Sequence, residues 1–164
     1  MWGAGFQPTP REEIEKAGRM LGLKKGVQVY DLGSGFGRVV IELAKKYRVK
    51  CVGIEIDPIK YWWSKQAVKR NHLTDKIVIK RKNLLEVDLS SADAVFVFLS
   101  GGTRIMSRLE KKILSEMKQG SKVISYSHRF DRDWEADRQE GELFLYTVQK
   151  SFSENTENRR TPTE

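Results

Sequence analysis

Val27-Gln28-Val29-Tyr30-Asp31-Leu32-Gly33-Ser34-Gly35-Phe36-Gly37-Arg38 is the stretch that decides the fold. A β-rich run (Val27, Val29, Tyr30) breaks into a loop with glycine at alternate positions, and Val39, Val40, Leu43 and Ala44 follow at helical spacing. The order is strand, turn, helix. Glycine tolerates positive φ and lets backbone N–H groups come close to a ligand. The first turn of the helix adds N–H donors that have no intrahelical acceptor, a setting suited to a negative or carboxylate-bearing group. Asp31, closing the strand, overhangs the crevice where open α/β sheets bind ligands.

The glycine spacing narrows the ligand. A dinucleotide fingerprint needs G-x-G-x-x-G, with glycine or alanine last. Counted from Gly33 the last place is Arg38, and counted from Gly35 it is Val40, so both registers fail. Asp31-Leu32-Gly33-Ser34-Gly35-Phe36-Gly37 instead resembles motif I of the class I S-adenosylmethionine-dependent methyltransferases, acidic-x-Gly-x-Gly-x-Gly. A second landmark, Val49-Lys50-Cys51-Val52-Gly53-Ile54-Glu55-Ile56-Asp57, is an apolar strand ending in a carboxylate one βαβ unit later. An acceptor at Glu55 can take both ribose hydroxyls, and Ile56 offers adenine an apolar surface.

Composition bounds the remaining possibilities. A chain of 164 residues, 39% of them hydrophobic, reads as one soluble globular domain with a real core. The longest apolar run, Ala94 to Leu99, is too short to cross a bilayer, and the N-terminus lacks the charged-then-apolar order of a signal peptide. The expected setting is cytoplasmic, with no membrane partner and a monomeric chain. Cys51, the single cysteine, lies in an expected core strand, which excludes a disulfide framework. A net charge of +8 permits nucleic-acid binding. Charged residues at 32%, mostly Lys, Arg and Glu, fit a heat-adapted source.

Along the chain, Thr9, Pro10 and Glu12 form a capping-box pattern that opens a helix with Ile14, Ala17, Gly18 and Leu21 inside. An arm from Phe6 to Thr9 can fold over the cofactor and shield the reaction from water. Pro58 opens a helix running to about Asn71, with Ile59, Trp62 or Trp63, Ala67 and Arg70 on one face. A strand from Lys76 to Lys82 leads into Asn83-Leu84-Leu85, and Lys76, Lys80, Arg81 and Lys82 make that edge of the sheet basic, which either deters aggregation or guides an acidic or nucleic-acid partner. Asp93 to Leu99 reads as a central parallel strand opening into Ser100-Gly101-Gly102-Thr103. A helix from about Arg104 to Lys118 and a strand from Lys122 to His128 follow, with His128 a rim histidine or a general base. Glu142 to Val148 alternates like a half-exposed antiparallel strand, and residues 151–164 form a polar tail without apolar period, expected to be disordered.

Phe6-Gln7-Pro8-Thr9-Pro10, Asn83-Leu84-Leu85-Glu86-Val87-Asp88 and Phe98-Leu99 with its serine-glycine loop make the chain similar to the small archaeal broad-specificity protein-lysine methyltransferases and to mitochondrial lysine methyltransferases of related sequence. The resemblance implies one domain over residues 1–150: a doubly wound, Rossmann-like α/β sheet, mostly parallel, with a reversed final strand. Only a short polar segment separates the fifth and final strands, so the sixth is expected to be truncated or missing. The resemblance also implies S-adenosyl-L-methionine as cofactor, held by Thr9, Asp31, Gly33, Ser34, Gly35, Glu55, Ile56, Asn83, Leu84 and Phe98. Its channel for substrate is Phe6, Pro8, Leu99, Ser100 and Trp134. Methyl transfer to an amine is an in-line displacement driven mainly by placement, so no catalytic residue and no metal is called for. Enzymes that methylate amide or base nitrogens commonly carry an Asn/Asp-Pro-Pro-Tyr/Phe run where this chain has Leu99-Ser100-Gly101-Gly102. Lysine is therefore the expected acceptor, with RNA as the alternative.

Overall fold

The computed structural model describes residues 8–99, 103–130 and 134–149. Phe6, Ser100 and the tail after residue 149 lie outside the described residues. The elements are α1 (Arg11–Met20), β1 (Gln28–Leu32), α2 (Arg38–Tyr47), β2 (Lys50–Glu55), α3 (Pro58–Arg70), β3 (Ile77–Arg81), β4 (Ala94–Val97), α4 (Thr103–Glu116), β5 (Lys122–Tyr126), β6 (Arg138–Glu140) and β7 (Leu143–Thr147). They form a seven-stranded sheet in the order β3-β2-β1-β4-β5-β7-β6. The pairs from β3 to β5 are all parallel, β7 runs antiparallel to β5, and β6 antiparallel to β7. The sixth strand is present but only three residues long, because Gly141-Glu142 turns the chain straight back into β7.

Strand order follows from burial. Every residue of β4 is buried, as a central parallel strand covered on both faces requires. One face of the sheet packs Val29, Cys51, Phe96 and Ile124 under α1, α2 and α3. The other packs Tyr30, Val52, Val95 and Val123 under α4. Reversal of strand order occurs between β1 and β4, so the C-terminal ends of these two strands open a crevice where crossovers diverge to opposite faces.

Two helices depart from the sequence expectation. Helix α1 begins at Arg11 with Pro10 as N-cap and no side-chain cap, so the Thr9–Glu12 capping box does not form. Thr9 is instead buried at the crevice, one residue too early to cap this helix. In α3 the buried positions are Ser64 and Val68, with Tyr61 and Ala67 packed partly buried on the same core, while Ile59, Trp62, Trp63 and Arg70 are exposed, so of the expected stripe only Ala67 turns inward. The reason lies at Gly37, where an added Cβ would stand 3.1 Å from Ser64 Cβ. The helix approaches the glycine loop so closely at Ser64 that a small side chain stands there, and the tryptophans face out.

Candidate active site

The turn after β1 is a backbone device. Gly33, Gly35 and Gly37 all have positive φ, which a side chain would strain. Gly33 N–H and Ser34 N–H both donate to Ile54 O at 2.9 Å, Gly37 N–H to Ser34 O at 2.9 Å, and Gly35 N–H to Glu55 Oε2 at 2.8 Å. The N–H groups of Gly33, Ser34, Gly35 and Gly37 are thus engaged with β2 and with the loop itself rather than facing a ligand, a departure from the sequence reading. The donors left for a ligand are those of the first turn of α2, which has Gly37 as N-cap and no side-chain cap.

Glu55 ends β2 buried beneath this loop, and both its oxygens have backbone partners: Oε2 accepts from Gly35 and Oε1 from Asp57 N–H, each at 2.8 Å. The carboxylate therefore clasps the glycine loop to the β2–α3 junction. An ionised carboxylate has about four lone-pair sites, so each oxygen keeps one for a further donor. Ile56, beside it, is 62% exposed, an open apolar platform. Asn83 Oδ1 accepts from Leu85 N–H at 3.0 Å, which fixes the Asn83–Leu84–Leu85 corner just past β3.

At the other end of the crevice, Pro8, Thr9, Asp31, Gly33, Ser34, Phe36, Arg38, Val39, Phe96 and Phe98 line a cavity of about 290 Å³. Of the sequence-derived residues it gathers Thr9, Asp31, Gly33, Ser34 and Phe98, together with Pro8. Glu55, Ile56, Asn83 and Leu84 lie outside it, toward the β2–β3 side of the sheet, and Gly35 is tied to Glu55. Leu99 reaches the loop from β4: a Cβ on Gly33 would meet Leu99 Cδ2 at 3.0 Å. Trp134 is not part of this cavity. It packs on Phe130 and Tyr146 with ring centroids 5.1 and 4.9 Å away, at a second hollow lined also by Arg129, Glu135 and Gln139. Tyr146 OH accepts from Phe130 N–H at 3.1 Å and anchors that cluster. The aromatic cluster draws Trp134 to the α4 side of β7, which removes it from the cavity over the glycine loop.

The sequence reading missed Phe36, Arg38, Val39 and Phe96. The first three follow from the loop itself, because a turn that points the start of α2 at the crevice brings its neighbours along. Phe96 needs the pairing of β4 with β1, which sets it opposite Asp31.

Two residues that line the cavity carry a buried polar atom with no partner in the protein, Asp31 Oδ2 and Ser34 Oγ. Burial first and the nearby Glu55 carboxylate second push the Asp31 carboxyl up to about 8. An apolar cavity holding an unserved carboxyl and hydroxyl is matched by a ligand bearing an N–H or ammonium group. His128, two residues past the end of β5, also has a buried ring nitrogen without a partner, Nδ1, but it does not line the cavity. Among the described residues no group of three or more His, Cys, Asp or Glu side chains could hold a metal ion.

Comparison with known proteins adds the following. A family model described as the ANTKMT methyltransferase domain matches residues 31–138. A protein-lysine N-methyltransferase of Saccharolobus islandicus (strain REY15A) is 37% identical over 134 residues, 79% of each chain. A Mus musculus lysine N-methyltransferase, named for a component of ATP synthase, is 33% identical over 137 residues, covering 84% of this chain and 53% of that one, so the chain spans about half the mouse enzyme. Among solved structures, an RNA methyltransferase from Salinibacter ruber in complex with S-adenosyl-L-homocysteine superposes with a TM-score of 0.83 at 27% identity, over 91% of this chain and 98% of that one.

Proposed function

This chain belongs to the ANTKMT methyltransferase family, and from that premise we propose that it is an S-adenosylmethionine-dependent enzyme that methylates lysine side chains of proteins. The observation that carries the reading is the 37% identity to a protein-lysine N-methyltransferase over 134 residues, 79% of this chain.

The residues present suit the cofactor. When bound, S-adenosylmethionine supplies a sulfonium-borne methyl group open to in-line attack by a neutral amine. Asp31 and Ser34, whose oxygens lack a protein partner, would hold its amino-acid end, with the N–H groups of the first turn of α2. Glu55, with its two remaining lone pairs, would hold the ribose hydroxyls, and Ile56 and the Asn83–Leu84 corner would offer the adenine its surface. Thr9, Gly33 and Phe98 complete the cavity wall.

Lysine reaches the site as an ammonium, with an ordinary pKa near 10.4, and must lose a proton before it can attack. Pro8, Phe36, Phe96 and Phe98 give the cavity an apolar wall, and desolvation there lowers the pKa of an entering amine. Leu99 continues that wall toward the end of β4. Placement and desolvation supply the chemistry, and no side chain is assigned as a base.

RNA is the second reading, favoured by the Salinibacter ruber match and by the basic residues Lys80, Arg81 and Lys82 at the end of β3. Incubation with labelled S-adenosylmethionine and either a mixed protein extract or total RNA decides between them. Label in protein, recovered as methyl-lysine, is the expected result. Label confined to RNA overturns the lysine assignment, and no label in either overturns the enzyme assignment under those conditions.

A further inference from the structure

The outer face of α3 has no role in the site and no cover among the described residues. Ile59, Trp62 and Trp63 are 67%, 53% and 45% exposed, three large apolar side chains on the first half of one helix. Single exposed apolar residues are ordinary, but a cluster of this kind marks an interaction surface. Residues 58–74 contain Lys60, Lys65, Lys69 and Arg70 and not one Asp or Glu. Asp57, the nearest acid on the N-terminal side, is occupied as N-cap, accepting from Ile59 and Lys60 N–H. Lys65 lies 5.3 Å from the centre of the Tyr61 ring, and Lys69 and Arg70 form no ion pair among the described residues.

We propose that α3 docks the protein in the plane of an anionic lipid surface, with Ile59, Trp62 and Trp63 entering the headgroup boundary and Lys65, Lys69 and Arg70 pairing with lipid phosphates and carboxylates. A helix with tryptophan and an aliphatic side chain outward and flanking cations has the composition of an interfacial anchor. Long basic side chains reach the headgroups while their stems lie on the apolar zone. Two features favour a bilayer over nucleic acid. Ile59, the most exposed of the three, has no ring with which to stack on a base. The Trp62 and Trp63 rings meet edge to face, 5.1 Å apart and 82° between planes, so they do not offer successive bases a common platform. The sequence reading excluded a membrane on the length of its apolar runs, a criterion for spanning that does not govern a helix lying in the interface. No helix among the described residues is long and apolar enough to cross a membrane, and an in-plane helix needs no such length.

The test is co-sedimentation of the full chain with vesicles of phosphatidylcholine alone and of phosphatidylcholine with added phosphatidylserine. Binding to the phosphatidylserine vesicles is expected, weakening with added salt. Ile59→Ser/Trp62→Ser/Trp63→Ser is expected to lower partitioning on the order of tenfold, and Lys65→Glu/Lys69→Glu by a similar factor through the lost headgroup attraction. Both variants should bind S-adenosylhomocysteine as the parent does, which verifies the fold independently of lipid. Failure to pellet with anionic vesicles, or equal pelleting of parent and both variants, overturns the proposal. So does retardation of single-stranded RNA that the same substitutions abolish without any vesicle binding, or a dimer in sedimentation equilibrium that the triple variant dissociates.

Discussion

Asp31→Asn probes the least ordinary group in the molecule. The Asp31 carboxyl is buried in the cavity, one oxygen lacks a partner, and burial together with Glu55 pushes it up to about 8. Cys51, whose thiol is raised partly by Asp31, and Arg38 at the cavity wall are the other titratable groups in this neighbourhood. An acid raised on folding stays protonated in the ligand-free fold while the unfolded chain has released its proton. Its contribution is fully present below the unfolded value, about 3.9, and is lost as pH rises through about 8. Where the two states differ by one proton, stability falls by about 1.4 kcal/mol per pH unit. Between pH of about 5.5 and 7 that is roughly 2 kcal/mol, or a fall in Tm on the order of 4–8 °C. Glu15, Asp57 and Asp88 are lowered on folding, so their opposite contribution is complete below this window. Asparagine matches the shape of the protonated acid and carries no titration. The ligand-free variant should therefore lack the slope and overtake the parent as pH rises. Thermal unfolding by circular dichroism across the window measures it. A parent Tm that is flat or rising there, or a variant with the same slope, refutes the reasoning. Calorimetric titration with S-adenosylhomocysteine extends the test, since an ammonium set against Asp31 should expel its proton and make the binding heat depend on the buffer in the parent only.

Glu55→Gln keeps the shape but presents an N–H donor where Gly35 or Asp57 already donates. Loss of stability by about 1–3 kcal/mol in urea unfolding, together with weaker S-adenosylhomocysteine binding, is expected. An unchanged midpoint with weakened binding would mean that Glu55 only contacts ligand. Gly37→Ala places a side chain at φ +83° and a Cβ 3.1 Å from Ser64 Cβ. A loss of about 1–2 kcal/mol follows from the left-handed backbone alone, and an unaltered urea midpoint would contradict the tight seat of α3 on the glycine loop.

What was legible in the sequence was whatever depends on neighbours along the chain. The alternating glycines, the acid at the end of β2, the hydrophobic run of β4 and the alternation of β7 each declare a local conformation, and the family resemblance carried by these motifs implied the doubly wound sheet with a reversed last strand. Positions expected to line the cofactor site came from the same short motifs, and Thr9, Asp31, Gly33, Ser34 and Phe98 do share one cavity. The inner face of α3 was expected to hold Ile59 and one of Trp62 and Trp63, whereas the helix turns Ser64 to the glycine loop, 3.1 Å from where a Cβ on Gly37 would stand.

Motif and periodicity determined the order of elements and the end of the sheet at which chemistry can occur, because both are set by backbone conformation within a few residues. Tertiary structure alone decided that Glu55 clasps the glycine loop to the start of α3, that Phe96 stands opposite Asp31, that Trp134 belongs to another cluster, and that two tryptophans face outward. Each of these depends on how close two segments distant in sequence can come, a quantity fixed by side-chain volume at the contact and absent from any local pattern.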